Sequence, residues 1–224
     1  MTNITENQAR EQLVQAARLL FQTGVMSHSG HGNMSFRLPE TEHMLLTSGG
    51  VISNLTAEQL TVVTFDGEVV AGALEPVTRE IVAMHSRVYR VKADVNAVIH
   101  THSPHVTSFA LAHQPLPCAY EALLRFGVTE DIPVADWAPR GSQESAANIV
   151  KQIEQHPTVP AVLLGNHGLL AFGHDALYAA MVIISMEEAA ELTLAARTLG
   201  GEKRFPAGAL ERERKHMQQF GSLR

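Results

Sequence analysis

Three histidines in two strand-like pieces are the residues of this chain best placed to do chemistry. His100 and His102 sit in Ala97-Val98-Ile99-His100-Thr101-His102, and His167 sits in Leu163-Leu164-Gly165-Asn166-His167-Gly168. Strand side chains repeat every second residue, so an H-x-H pair leaving an apolar strand puts two imidazoles on one side of the backbone. A third imidazole from a distant strand completes a facial three-nitrogen site. A catalytic zinc is usually held by three protein ligands with a fourth position open. Nitrogen donors also suit Mn²⁺, Fe²⁺ and Co²⁺, so the spacing points to a divalent metal without choosing one. The plainer alternative is polar residues bonded to backbone at strand ends. The H-x-H beside a second, glycine-flanked histidine favours the metal site over it. His105, three residues past His102, is a candidate fourth ligand, although a place on the following helix is the better expectation.

Glu80 lies in Thr78-Arg79-Glu80, at the start of a predicted helix shortly before the H-x-H strand. A carboxylate near three histidines can be a fourth ligand or a general base. A first-turn glutamate favoured by the helix dipole is the alternative, and spacing leaves the two open. Two glycine-rich loops, Gly32-Asn33 and Thr47-Ser48-Gly49-Gly50, can present backbone N–H groups to a phosphate or carboxylate. Arg79 beside Thr78 would add a cation. Each of these features alone is also an ordinary turn or a solvated helix end. Tyr120, Glu121 and Arg125 follow a break at Pro115 to Pro117; they are candidate acids or substrate contacts, with structural roles the plainer expectation. Trp137 reads as packing. Cys118 has no basic neighbour in sequence to activate it as a nucleophile.

The elements that must position these groups follow from periodicity. Residues 6–24 predict an amphipathic helix through Leu13, Ala16, Ala17, Leu20 and Phe21. Strands are expected at 34–38 and 44–46, then a hairpin of 60–64 with 68–70 around Asp66-Gly67. A helix is expected at 78–90, a buried strand at 95–100, a helix at 103–112 and a short strand at 132–135. Ser142 should cap a helix over 142–155. Strands at 161–164 and 169–171 flank Gly165-Asn166-His167-Gly168 as a tight hairpin. A long helix at 175–199 ends at Gly200-Gly201, and residues 208–220 form a last one. Hairpins between helices predict an α/β layered fold around an antiparallel or mixed sheet.

Composition bounds the function. A chain of 224 residues, 45% hydrophobic, is long enough for a real core and reads as one domain over 1–224. A formal charge of −6 argues against a nucleic-acid partner. No apolar run reaches the length needed to span a membrane, and the polar start lacks a signal-peptide core. One cysteine excludes an internal disulfide framework and suits a reducing cytosol, so a cytoplasmic location is expected.

Taken in order, Gly32-Asn33, Ser48-Gly49, Pro76-x-Thr78-x-Glu80, His100-x-His102 and Asn166-His167-Gly168 resemble the class II aldolase/adducin family over about residues 8–195. The run Ala93 to Pro104 looks especially like the family's signature. The resemblance implies a three-layer α/β/α sandwich with a central, mainly antiparallel sheet. It implies zinc or a similar divalent ion on His100, His102 and His167, and Glu80 as the acid/base. Asn33, Ser48 and Gly49, with Thr78 and Arg79, match the pocket for the substrate phosphate. Tyr120 is the nearest match to a tyrosine lent by a neighbouring subunit of a tetramer. The implied activity is aldol cleavage of a small ketose phosphate to dihydroxyacetone phosphate and an aldehyde, through an enediolate. Decarboxylation of a hydroxy- or oxo-acid is the alternative within the family, and a non-catalytic adducin-like interaction module is the alternative outside catalysis.

The chain departs from the family pattern where Thr78-Arg79 replaces two serines. It departs again in the interval from Glu80 to His85, which is one residue longer than usual. Five residues on a helix turn about 500°, so either the helix starts after Glu80 or a bulge absorbs the extra residue.

Overall fold

The computed structural model describes residues 4–219. Helix α1 (Glu6–Gln22) begins at a reciprocal cap: the Gln8 N–H donates to Thr5 Oγ1 and the Thr5 N–H donates to Gln8 Oε1. Ala9, Leu13, Ala16, Ala17 and Leu20 form its buried stripe. Eight strands follow: β1 (Gly32–Arg37), β2 (His43–Thr47), β3 (Leu60–Thr64), β4 (Val69–Ala71), β5 (Ala97–Thr101), β6 (Val134–Ala135), β7 (Ala161–Leu164) and β8 (Gly168–Gly173). They make one sheet in the order β4-β3-β2-β1-β5-β8-β7-β6. Every pairing is antiparallel except β6 with β7.

Helices cover both faces. The helices α3 (Pro104–Leu111) and α5 (Ala176–Thr198) join α1 on one face, and α2 (Val82–Val91) and α4 (Gln143–Gln155) lie on the other. The result is the expected α/β/α sandwich. A last helix, α6 (Ala209–Gln219), closes the described chain. No helix among the described residues is long and apolar enough to cross a membrane.

Strand alternation sorts the two cores. On β5, Ala97 and Ile99 belong to the core under α1, α3 and α5, whereas Val98 belongs to the core under α2 and α4. His100 therefore shares the face of Val98. Register places it opposite Asn33 of β1 and Leu170 of β8. A one-residue slip of β5 would turn His100 away from His102 and His167 toward the opposite core, so burial on both faces fixes the register. Each fully buried large side chain in these cores, Phe36, Phe109 and Phe172 among them, contributes about 1.5–3 kcal/mol.

Four local differences from the sequence-based expectations matter. Strand β1 starts at Gly32, inside the polar glycine-rich stretch, because pairing with β5 orders it. The helix expected from Thr78 is a 3-10 helix over Pro76–Ile81, and α2 starts only at Val82. This segment is tied to the loop after β2: the Glu75 N–H and the Thr78 hydroxyl both donate to the Ser48 carbonyl. The α-helix therefore starts after Glu80, the first of the two expected ways to take up the extra residue before His85. Only Val134–Ala135 of the expected strand at 132–135 pairs in the sheet. Residues Glu121–Phe126, for which no element was expected, form a 3-10 helix ending at Gly127 with φ 75°.

Candidate metal centre and its cavity

The three histidines meet. His100 is buried at the end of β5, His102 lies one residue beyond it, and His167 sits in the β7–β8 turn. Asn166 takes φ 57°, a left-handed turn position that asparagine tolerates. The three ligand nitrogens lie within 4.8 Å of one another, and no fourth His, Cys, Asp or Glu among the described residues joins them. His100 Nδ1–H donates to the Leu169 carbonyl at 2.7 Å, which leaves Nε2 as the acceptor nitrogen. That Nε2 is 3.0 Å from Nε2 of His102. Two imidazoles on one tetrahedral zinc, with bonds of 2.0–2.1 Å, would stand about 3.3 Å apart, so little movement separates this arrangement from ligation. A carbonyl holding the far nitrogen is also how proteins orient metal-bound imidazoles.

Electrostatics favour the ligand form. Burial, then the neighbouring His167 and His102, push His100 well below the ordinary histidine range. Burial, then His31 and Arg140, lower His102. Burial, then His102 and Arg140, bring His167 to about 4. All three are neutral at neutral pH, as metal ligation requires. The donor set and its protonation state fit a divalent ion. Close approach of the strands depends on Gly168: a Cβ there would lie 2.5 Å from the Thr101 carbonyl oxygen and 2.8 Å from Cδ2 of His102.

Behind the ligands runs a buried polar chain. Tyr89 OH lies 2.6 Å from Ser35 Oγ, which lies 2.7 Å from His85 Nδ1; His85 Nε2 then lies 2.6 Å from Asn33 Oδ1. The amide oxygen can only accept, so His85 Nε2 carries the proton and Nδ1 accepts from Ser35. Burial holds His85 at about 3, which keeps this neutral tautomer. With Oδ1 taken, Asn33 has its Nδ2 donors left for the cavity it lines.

The cavity measures about 410 Å³, within the range of small-molecule sites. The three histidines and Asn33 form one wall. Glu80, Ile81 and Met84, with Trp137, Arg140 and Ser142, form the opposite wall and rim. Glu80 is on the wall, but its Oε2 sits 3.3 Å from Arg140 Nε, with both side chains about half exposed. Gly141 backs this pair at φ +76°; a Cβ there would lie 2.9 Å from Cβ of Glu80.

The remaining candidates divide. Asn33 and Gly50 line the cavity, whereas Ser48, Gly49, Thr78 and Arg79 do not. Ser48 Oγ is bonded to Thr61 Oγ1 at 2.7 Å, and Thr78 Oγ1 to the Ser48 carbonyl. The Glu75 carboxylate lies against Gly49, so close that a Cβ there would meet Oε1 at 2.8 Å. Arg79, expected in the anion pocket, opens instead onto an adjacent cleft with Arg87 and Arg90, a cleft that Glu80 also borders. Tyr120 packs on the core under α1, α3 and α5, across the sheet from the cavity. Glu121 and Arg125 are likewise off the cavity wall.

His105 is no ligand here: its Nδ1 is 2.8 Å from Glu187 Oε1, and the His105 and Val106 N–H groups donate to the same carboxylate, capping α3. Burial, then Asp131, raise the Cys118 thiol to about 11, so it is no nucleophile. Trp137, read from sequence as packing, is 59% exposed at the cavity rim. Trp137 and Arg140 are among the cavity residues the spacing argument missed. Their signal was a loop running from a strand end to the Ser142 helix cap, where α/β sheets place sites.

Comparison with known proteins agrees with this architecture. Residues 11–194 match the family model described as Class II Aldolase and Adducin N-terminal domain. The chain is 31% identical over 181 residues, 80% of its length and 92% of the relative's, to L-fuculose phosphate aldolase of Methanococcus maripaludis. It is 28% identical to 5-deoxy-D-ribulose 1-phosphate aldolase of Bacillus thuringiensis serovar kurstaki, covering 95% of this chain and 96% of that one. It is also 28% identical to 3-oxo-tetronate 4-phosphate decarboxylase of Haemophilus influenzae, covering 89% and 92%. Among solved structures, an L-fuculose 1-phosphate aldolase superposes with TM-score 0.83 at 26% identity, covering 97% of this chain and all of that one.

Proposed function

The chain belongs to the class II aldolase and adducin family, and from that premise we propose a divalent-metal-dependent lyase that reversibly cleaves a small ketose phosphate to dihydroxyacetone phosphate and an aldehyde. The observation that carries this reading is the meeting of three neutral histidines on the wall of a cavity that also holds a carboxylate. Similarity to two sugar-phosphate aldolases supports it. His100, His102 and His167 would hold a Zn²⁺ ion, or Mn²⁺, Co²⁺ or Fe²⁺, which would supply Lewis acidity toward the substrate's carbonyl oxygen.

The chain's own residues do the rest. Glu80 is the acid/base that takes up and returns the proton as the bond breaks and forms. Asn33, its oxygen held by His85, offers its amide N–H groups to the substrate's oxygens. Ile81, Met84 and Ile149 supply an apolar lining that limits water around the reacting carbons. Tyr120 reaches nothing in its own chain's cavity, so a role for it requires a neighbouring subunit. The same reading takes residues 1–224 as one domain of a cytoplasmic homotetramer in carbohydrate metabolism, and sedimentation of the metal-loaded protein tests the assembly.

Metal-loaded protein incubated with dihydroxyacetone phosphate and short aldehydes should form condensation products. Similarity to the oxo-tetronate phosphate decarboxylase supports a second reading, decarboxylation of a hydroxy- or oxo-acid. Release of CO₂ from such acids without condensation would select it. Neither activity, in protein carrying about one divalent ion per chain, would reject the lyase. The adducin-like interaction module ranks below both, because the ligand set is complete.

A further inference from the structure

We propose that Arg140 is the anchor for an anionic group of the substrate, a carboxylate or phosphate, and that Glu80 occupies its guanidinium until that group displaces it.

The argument starts from charge on the cavity wall. Arg140 is the one arginine or lysine lining the metal cavity among the described residues; Glu80 and Asp136 are the carboxylates there. Of the other groups that spacing alone would choose for an anion, Asn33 keeps uncharged amide donors on the cavity and the rest are engaged or turned away. Ser48 and Thr78 are tied into the protein's own hydrogen bonds, Glu75 covers Gly49, and Arg79 opens onto the next cleft. Among the described residues, the only side chain that offers a full positive charge to an acid group entering this cavity is therefore Arg140, set apart from the histidines that would hold the ion.

The geometry of Arg140 suits that role. Its Nε faces Glu80 Oε2 at 3.3 Å, and its Nη2 donates to the Val77 carbonyl at 3.2 Å. Both partners lie on the 3-10 segment Pro76–Ile81, so the guanidinium is pinned to the rim beside the opening. No partner accepts from Nη1 among the described residues. A guanidinium presents a planar fork that matches carboxylate and phosphate oxygens two at a time. The pair with Glu80 is half exposed and long, the kind of contact that water and ions readily replace. An entering anion thus frees the Glu80 carboxylate at the moment substrate arrives. Binding and activation of the base become one event.

Trp137 supplies the readout. It is the chain's single tryptophan and stands exposed on the same rim. Titration of metal-loaded wild type with inorganic phosphate, and separately with propionate, should change its fluorescence saturably; the tighter probe identifies the acid. Arg140→Gln should weaken that binding at least tenfold, Arg140→Lys less, with metal content and circular dichroism unchanged. Glu80→Gln should tighten it several-fold, because the internal competitor has lost its charge. Unchanged affinity in Arg140→Gln, or no binding by wild type, would overturn the anchor. Unchanged or weaker affinity in Glu80→Gln would overturn the displacement.

The proposal rests on the lyase reading only for which molecule carries the acid. Arg140-dependent binding without lyase activity would keep the anchor and remove the reaction. Lyase activity indifferent to Arg140 would do the reverse.

Discussion

The histidine wall of the cavity and the rim facing it are built by opposite means. The wall hangs on β5 and β8, paired on both sides and packed between two cores, and His100 is 2% exposed with its far nitrogen fixed by a carbonyl. The rim hangs on a 3-10 segment and the loop before α4, where Glu80 and Arg140 are each about half exposed. Strands specify position to a fraction of an ångström, because a shifted register empties or overfills a core. Loops are free to differ so long as their backbone reaches water. The difference teaches where each kind of information is kept. On the proposed reading, the metal's chemistry sits on the strands and the choice of substrate on the rim.

That division can be broken at several points. The largest effect is expected from His102→Ala, which should cut bound metal from about one per chain to near zero by elemental analysis, with at least ~100-fold loss of turnover. Retained metal would move the centre elsewhere. Glu80→Gln comes next: metal should stay and turnover fall about 10²–10⁴-fold; full activity in that variant would take the base off the rim. His85→Leu probes the support behind the wall. It strands Asn33 Oδ1, while Ser35 keeps Tyr89, and urea denaturation should register about 1–3 kcal/mol for the group left unsatisfied.

Acid should reveal the same residue. His85 stands at about 3 in the fold against 6.5 ordinarily, so below 6.5 the unfolded chain binds a proton that the fold refuses. Its contribution is complete above pH 6.5 and is lost as pH falls toward 3, at up to about 1.4 kcal/mol per pH unit. A His85→Gln variant that titrates as steeply as wild type would deny it that part. The smallest effect belongs to Trp137→Ala, an exposed rim change that should leave stability within about 0.5 kcal/mol while altering KM for the substrate.

What could be read from the sequence follows the same line. The alternation of Ala97 to His102, and the glycines around His167, announced strand ends carrying imidazoles, and the sheet delivered them to one place. Ser142 as a cap, the Asp66-Gly67 hairpin and the long helix α5 were equally legible, since local turn and capping chemistry decides them. Arg79 was not. It sits in the 3-10 turn over Pro76–Ile81, a segment tied to Ser48, thirty residues from Thr78, which accepts two hydrogen bonds from it. Arg140 and Trp137 were missed for the converse reason: a loop has no period, so nothing in the spacing said which way it faced. The buried chain from Tyr89 to Asn33 spans two elements and was invisible to any one-dimensional pattern.

Gly168 gives this architecture a weak point that carries no functional group. The space a methyl would need there is already filled by the Thr101 carbonyl and the ring of His102. In a saturation screen scored by metal content, alanine, the mildest replacement available, should rank with loss of a ligand. A map of intolerant positions would then show four points around the ion, one of which never touches it. Anyone inferring coordination number from such a map would count one ligand too many.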